Sequence, residues 1–452
     1  IFFNMRISAR EKFYYGVGDL GYSTITSTLS NFIMFFGTSV LGISGALMGL
    51  AVSLGVFWDA ISDPIIGYYS DNLSSPLGKR HPFMIIGVLG LCAINLAIWL
   101  VPNEAPTWVK FIWILLSLLA LQTFSTFFGT PHMALGLEMT NDPNEQTSIQ
   151  CYRTVFSLIG MMLPTVFMFI FMPSSASSQG QLETQGYINI AYASSILCLV
   201  FGLITIFGTL KRQVCCPKEK TKKQKGLFKS LFTDVFGILK KKQYRILILG
   251  YAISLLASSI LTAAGMHMFT YCFHFNSQQI SVLLAAFIVS AVVSQFIWSK
   301  ISKGIGKKKT LIRGLSLGII AILVVWAIFI LRDFFSTATL FWVVSPLIFS
   351  VGLGTGVLFS FPISLFGDVM AKDFEVQSSN KVGVYSGIMT LASKVSNAFA
   401  LAIIGVVLDL IHFSSSSPVQ PLSVQNGLGL LVLLGTVMSL GFSISIFSKF
   451  KE

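Results

Sequence analysis

The chain has 452 residues, of which 54% are hydrophobic and 11% charged, and its mean hydropathy is +0.77. Those values exclude a soluble globular domain and a disordered tail, and require a chain that crosses a bilayer many times. A net charge of +13 would suit a nucleic-acid binder, but its placement, described next, excludes that use.

Twelve apolar runs follow one another, at about 13–38, 45–70, 82–101, 108–133, 150–173, 187–210, 246–270, 279–299, 310–331, 338–366, 383–410 and 425–447. With both termini in the cytoplasm, all but three of the 31 Lys+Arg fall in cytoplasmic segments or at the cytoplasmic ends of spans. The exceptions are Lys110 and Arg332 on the far side and Lys394 inside a span. This asymmetry is the positive-inside pattern of a multi-pass protein of an inner or plasma membrane. It also offers contacts to anionic membrane lipid.

The lysine-rich stretch 211–243 interrupts the hydrophobic pattern and includes a short amphipathic segment over Leu227 to Leu239. Six spans precede it and six follow. The expected organisation is an N-terminal six-helix bundle over 1–210, a basic cytoplasmic loop over 211–243 and a C-terminal six-helix bundle over 244–452. The halves echo each other: Gly78-Lys79-Arg80 follows the second span, and Gly306-Lys307-Lys308-Lys309 follows the eighth, half a chain later. Such an all-α, six-plus-six membrane protein with an internal repeat matches the major facilitator fold, whose binding sites lie at the midplane. A monomer is the expected state.

Six cysteines show no metal or disulfide spacing. Cys92, Cys151, Cys198 and Cys272 read as packing residues, and Cys215-Cys216 as reduced bystanders at the cytoplasmic face. No cleavable leader is visible, and with Ile1 first the true start is expected upstream. There is no metal cluster, nucleophile elbow or phosphate loop, so an integral membrane enzyme is not expected and no cofactor is called for.

The second span holds the most informative residues, Asp59 and Asp63, in the run Trp58-Asp59-Ala60-Ile61-Ser62-Asp63-Pro64. A spacing of four puts both acids on one helix face. A carboxylate within a bilayer costs about 2.5–3.5 kcal/mol on insertion scales, so it needs a partner or a role. Two readings are open: a salt bridge locking two helices, or a site for a hard cation held by oxygen ligands. The first span (Gly16, Gly18, Asp19, Tyr22, Ser23, Thr24), the fourth (Gln122 to His132) and the tenth (Gly352, Gly354, Gly356, Pro362) are rich in small or polar residues. That composition suits helices lining a wet cavity or packing closely.

The runs Tyr15-Gly16-Val17-Gly18-Asp19, Trp58 to Gly67, Pro131-His132 to Thr140, Tyr152-Arg153, Gly367-Asp368 and Ser393-Lys394 to Ala400 together resemble a known family. They are similar to the glycoside–pentoside–hexuronide:cation symporters, a branch of the major facilitator superfamily that includes the melibiose carrier and the sodium-coupled lysophospholipid carriers. The resemblance implies a sodium, lithium or proton site with Asp59, Ser62, Asp63 and Thr126 as ligands. Ser62 stands where the family often has Asn, which leaves the choice of cation open. Lys394 matches the family's intramembrane lysine and would couple cation occupancy to opening of the cavity. Arg153 matches an arginine facing the substrate cavity.

For substrate the chain departs from the melibiose type, which uses one acid on each of the first and fourth spans. Ser23 and Gly129 occupy those positions, with Asp19 one turn earlier. The candidate cavity residues are Asp19, Tyr22, Ser23, Gly129, His132, Arg153 and, as an aromatic wall, Phe359 or Phe361. The implied function is cation-coupled symport by alternating access, with an organic solute or a lysophospholipid as substrate. A sugar or organic-anion symporter, an uncoupled lipid facilitator and a membrane sensor are the alternatives.

Overall fold

A computed structural model describes residues 7–102, 104–140, 142–174, 179–214, 237, 240–377, 382–415, 417 and 419–450. Most of the expected central loop, with Cys215-Cys216 and nearly all of the 227–239 stretch, lies outside these residues. The helices are α1 (Ala9–Phe35), α2 (Gly45–Asn72), α3 (His81–Trp99), α4 (Thr107–Glu138), α5 (Pro143–Phe171), α6 (Thr184–Val214) and α7 (Lys242–Tyr271). They continue as α8 (Ser277–Ile305), α9 (Lys307–Ile330), α10 (Thr337–Thr355), α11 (Phe361–Gln377), α12 (Val382–Leu410), α13 (Leu422–Gly429) and α14 (Gly435–Ser448). Large apolar side chains such as Phe207, Phe296 and Trp342 are exposed, as lipid-facing residues of a membrane protein are.

Among the described residues, eleven helices are long and apolar enough to cross a membrane. The expected first span is the exception. Its helix α1 is capped by Ser8, which exchanges hydrogen bonds with Glu11, and it buries Asp19, Ser23, Thr24 and Thr28 along its length. Its hydroxyls close locally: Thr24 donates to the Leu20 carbonyl at 2.7 Å and Thr28 to Thr24 at 2.7 Å. So polar a helix is sustained by protein on its sides rather than by lipid.

Packing divides the chain into two units, Ile1–Ile43 with Leu54–Lys223, and Ser44–Ser53 with Gln224–Glu452. In the first unit α1 packs on α5 and α6, and α3 on α4 and α6. In the second, α7 packs on α12 and α14, and α9 on α10 and α14. The same pairing scheme therefore recurs inside each unit, with α12 in the place of α5 and α14 in the place of α6. Residues 44–53, the first turns of α2, belong to the second unit's packing. The amides of Gly45 and Ala46 donate to the Asp409 carboxylate at 2.6 and 3.0 Å, supplying an anion to a helix start.

Three expected spans are less regular than an apolar run suggests. The first ends in a π-helical turn, Phe36–Val40, and the twelfth contains another, Leu430–Leu434. The tenth breaks into α10, a 3-10 turn over Gly356–Phe359 and α11, which carries Pro362 in its first turn. At the break a Cβ on Gly356 would collide with Ser294 Oγ. Gln295 spans the gap, donating to the Gly356 carbonyl and accepting from Ser360, both at 2.6 Å.

Candidate cation and substrate sites in the first unit

The α2 and α4 helices bring two turns of each into register. Asp59, Ser62 and Asp63 face Thr126 and Thr130. Ser62 Oγ and Thr126 Oγ1 are 2.9 Å apart, and Thr126 donates to Asp59 Oδ1 at 3.1 Å. One turn on, Thr130 donates to Asp63 Oδ1 at 3.2 Å. Trp58 adds a brace, its indole donating to Thr123 at 2.8 Å. Ser62 and Thr126 are buried, and both carboxylates are part-buried. The expected ligands, Asp59, Ser62, Asp63 and Thr126, supply two carboxylates and two hydroxyls, hard oxygens that fit sodium or lithium and equally a proton. Among the described residues no group of three His, Cys, Asp or Glu could hold a transition metal.

Thr130 was not among the expected site residues. Its signal is spacing: Thr126 and Thr130 repeat the four-residue interval of Asp59 and Asp63, so the helices meet as matched pairs.

A second polar cluster joins α1, α4 and α5. Arg153 Nε donates to Asp19 Oδ2 at 2.8 Å. His132 places Nδ1 3.3 Å from Asp19 Oδ1 and Nε2 2.9 Å from the Tyr15 carbonyl oxygen. The imidazole is sandwiched between Tyr15 and Phe128, with ring centroids 4.5 and 5.1 Å away. Asp19 and His132 are buried, whereas the Arg153 side chain is 26% exposed. Arg153 is thus tied into the bundle rather than reaching alone toward the interface.

The other expected cavity residues of this unit lie nearby. Tyr22 OH is 2.9 Å from Ser125 Oγ, and a Cβ on Gly129 would sit 3.1 Å from that same phenol oxygen. Ser23, buried, meets Ser157 Oγ at 2.8 Å. The remaining expected residues belong to the second unit. Phe359 is half-exposed at the break after α10, Phe361 is buried at the start of α11, and Lys394 is part-buried near the middle of α12.

At the ends of the helices the basic turns carry their own ion pairs. Arg80 pairs with Asp71, donates to Glu138 Oε1 at 2.6 Å and reaches Ser70 Oγ at 2.6 Å. Burial alone would lower the Arg80 guanidinium, but Glu138 and Asp71 outweigh it and hold it above its ordinary value. In the second unit Lys307 pairs with Asp368 at 2.7 Å.

A family model described as MFS/sugar transport protein matches residues 14–447. The chain is 23% identical to an uncharacterised symporter of Synechocystis, over 92% of this chain and 88% of that protein. It is 22% identical to the sodium-dependent lysophosphatidylcholine symporter 1 of Xenopus tropicalis, over 98% of this chain and 87% of the relative. Among solved structures, a bacterial homologue of the iron transporter ferroportin in its inward-facing state aligns with a TM-score of 0.68. That alignment has 14% identity and covers 98% of this chain and 99% of the other.

Proposed function

This chain belongs to the MFS/sugar transport protein family and is a multi-pass membrane symporter rather than an enzyme; from that premise we propose that sodium or a proton, bound at Asp59 and Asp63, drives it. The observation that carries the reading is the pairing of Asp59 with Thr126 and of Asp63 with Thr130 across α2 and α4. Two acids one turn apart repel each other, and a bound cation removes that repulsion. Asp59, Ser62, Asp63 and Thr126 are the proposed ligands, with Lys394 as the coupling residue. Coupling requires the cation to bind one of the two access states more tightly, because a ligand without differential affinity shifts no equilibrium.

In this reading the bundles run over 1–210 and 244–452, joined by the basic cytoplasmic loop 211–243, and both termini are cytoplasmic. The protein works as a monomer. The substrate is an organic solute, and a lysophospholipid is the first candidate, supported by the relative of that specificity and by Ser23 and Gly129 in place of a sugar-binding acid pair. The cavity side chains are Asp19, Tyr22, Ser23, His132, Arg153 and the Phe359–Phe361 segment, with Gly129 opening space beside Tyr22. A glycoside is the second reading, favoured by the family's sugar-transport description.

The test is uptake of a fluorescent lysophospholipid into cells expressing the full chain, with and without an inward sodium gradient. Sodium-dependent uptake that Asp59→Asn removes is the expected result. Equal accumulation in Asp59→Asn and the wild type overturns the cation site. Absence of uptake with good surface expression overturns the lipid substrate and directs the search to glycosides.

A further inference from the structure

The α1–α4–α5 cluster contains a proton that the hydrogen-bond pattern requires. A backbone carbonyl only accepts, so the 2.9 Å contact between His132 Nε2 and the Tyr15 oxygen makes Nε2 the donor. The other ring nitrogen then faces Asp19 Oδ1 at 3.3 Å and has no hydrogen-bond partner as a neutral acceptor. A lone pair on Nδ1 opposite a carboxylate lone pair is repulsive, in a place where both side chains are buried. One proton between the two atoms turns the clash into a charge-assisted hydrogen bond.

We propose that Asp19 and His132 form a proton-binding site separate from the Asp59–Asp63 cation site. The imidazole is fixed for the task by Tyr15 and Phe128 stacked on its two faces. Arg153, from α5, is the charged group facing Asp19. Tyr15 and Tyr22 are the titratable neighbours on α1, and Asp59 and Asp63 act from α2 on Tyr22. On α3 the facing contact is Gly87 against Phe128, and the titratable His81 is engaged with Thr209 of α6 at 2.9 Å.

The proton comes from the aqueous phase and returns to it, with no other bond made or broken. Its entry takes the Asp19–His132–Arg153 trio from neutral to a net single positive charge. That charge sits beside the partly exposed Arg153 side chain, so the protonated site favours an anionic group on the substrate. The site would make transport respond to pH independently of the cation that Asp59 and Asp63 select, and it does not rest on their reading.

Purified full-length protein in sodium-free phosphatidylcholine liposomes, adsorbed on a sensor membrane, gives the test. A jump from about pH 8 to about pH 6 is applied without substrate and the transient charge movement is recorded. The wild type is expected to give a transient that His132→Phe, which keeps an aromatic ring in the stack, and Asp19→Asn both reduce to the same level, and Asp59→Asn is expected to retain the part that those two variants lose. His132→Gln replaces the Phe variant if that protein does not fold. Solid-state NMR of isotope-labelled histidine reads the ring directly. His132 is expected with Nε2 protonated and a proton shared at Nδ1 at the lower pH. Absence of a wild-type transient, its survival at full size in both the His132 and Asp19 variants, or a His132 ring whose Nδ1 shares no proton at either pH overturns the proposal. Loss of the transient in Asp59→Asn alone would assign the proton to the cation site instead and equally overturn it.

Discussion

The two units repeat one packing scheme and fill it with different chemistry. In the first, α1, α2, α4 and α5 carry Asp19, Asp59, Asp63, His132 and Arg153 into the bundle, and most of these meet at named oxygens and nitrogens. In the second, the matching region of α8 and α10 is built from serine, glycine and one glutamine. Gly352 and Gly356 admit Ser290 and Ser294, and Gln295 stitches the break after α10. The same architecture therefore supports a charged interior in one half and a closely packed, interrupted helix in the other. A buried carboxylate is tolerated only where hydroxyls, imidazole or guanidinium surround it, and the first unit supplies them.

The largest expected effect comes from removing charge where it is concentrated. Asp59→Asn and Asp63→Asn should each abolish cation-driven accumulation while leaving a folded protein, read by uptake beside size-exclusion profiles. Lys394→Ala, in the second unit, should lower accumulation with an unchanged melting temperature. A fall in melting temperature with normal coupling in the surviving protein would make that lysine a packing residue.

The basic turns give a like-for-like contrast. Arg80 is 5% exposed between Asp71, Glu138 and Ser70, whereas the Lys307–Asp368 pair is 39% and 48% exposed. Arg80→Ala should cost on the order of 2 kcal/mol, below the range for fully buried pairs because its acids are partly solvated. Lys307→Ala should cost about 0–1 kcal/mol. Detergent melts of the two variants check the difference, and equal shifts would show that the turns are energetically equivalent. The turns also share a backbone device: Gly78 and Gly306 have φ of 85° and 86°. Alanine at either should destabilise by about 1–3 kcal/mol, the cost of a Cβ at a positive φ.

The smallest effect is a pH term confined to the second unit. His274 lies between α7 and α8, and burial, then Arg332, lower its imidazole below the ordinary range despite Asp333. The folded state therefore holds the ring neutral more strongly than the unfolded chain does. Its contribution is complete above the unfolded histidine value of about 6.5 and is lost as pH falls below it. The melting-temperature gap between wild type and His274→Asn should shrink or reverse on acidification.

Much of the scaffold could be read from the chain alone, because a bilayer imposes its own length on every apolar run. The basic turns, the half-chain repeat and the Trp58 to Pro64 motif were equally visible. Three features were not. The π-helical turns and the break at Gly356–Phe359 depend on close approach between helices, and periodicity carries no distance. The fifth helix begins at Pro143, well before the expected 150, because its polar first turns extend the helix beyond the apolar run. The Asp19–His132–Arg153 cluster joins Asp19 to residues more than a hundred positions away, so the three could be named as candidate cavity residues but not as one another's partners. Thr130 was legible in principle through its interval from Thr126, but a hydroxyl on a helix ordinarily satisfies itself on its own backbone.

The measurement that bears most directly on the central claim is the melting temperature of the purified chain across a sodium series and a pH series, in wild type and in Asp59→Asn. A cation that binds the folded state raises stability by about 2.7 kcal/mol at a hundredfold excess over its Kd. The account predicts that sodium or protons raise the wild type by more than they raise Asp59→Asn, the difference being the Asp59–Asp63 site. A rise of the same size in both proteins would contradict it.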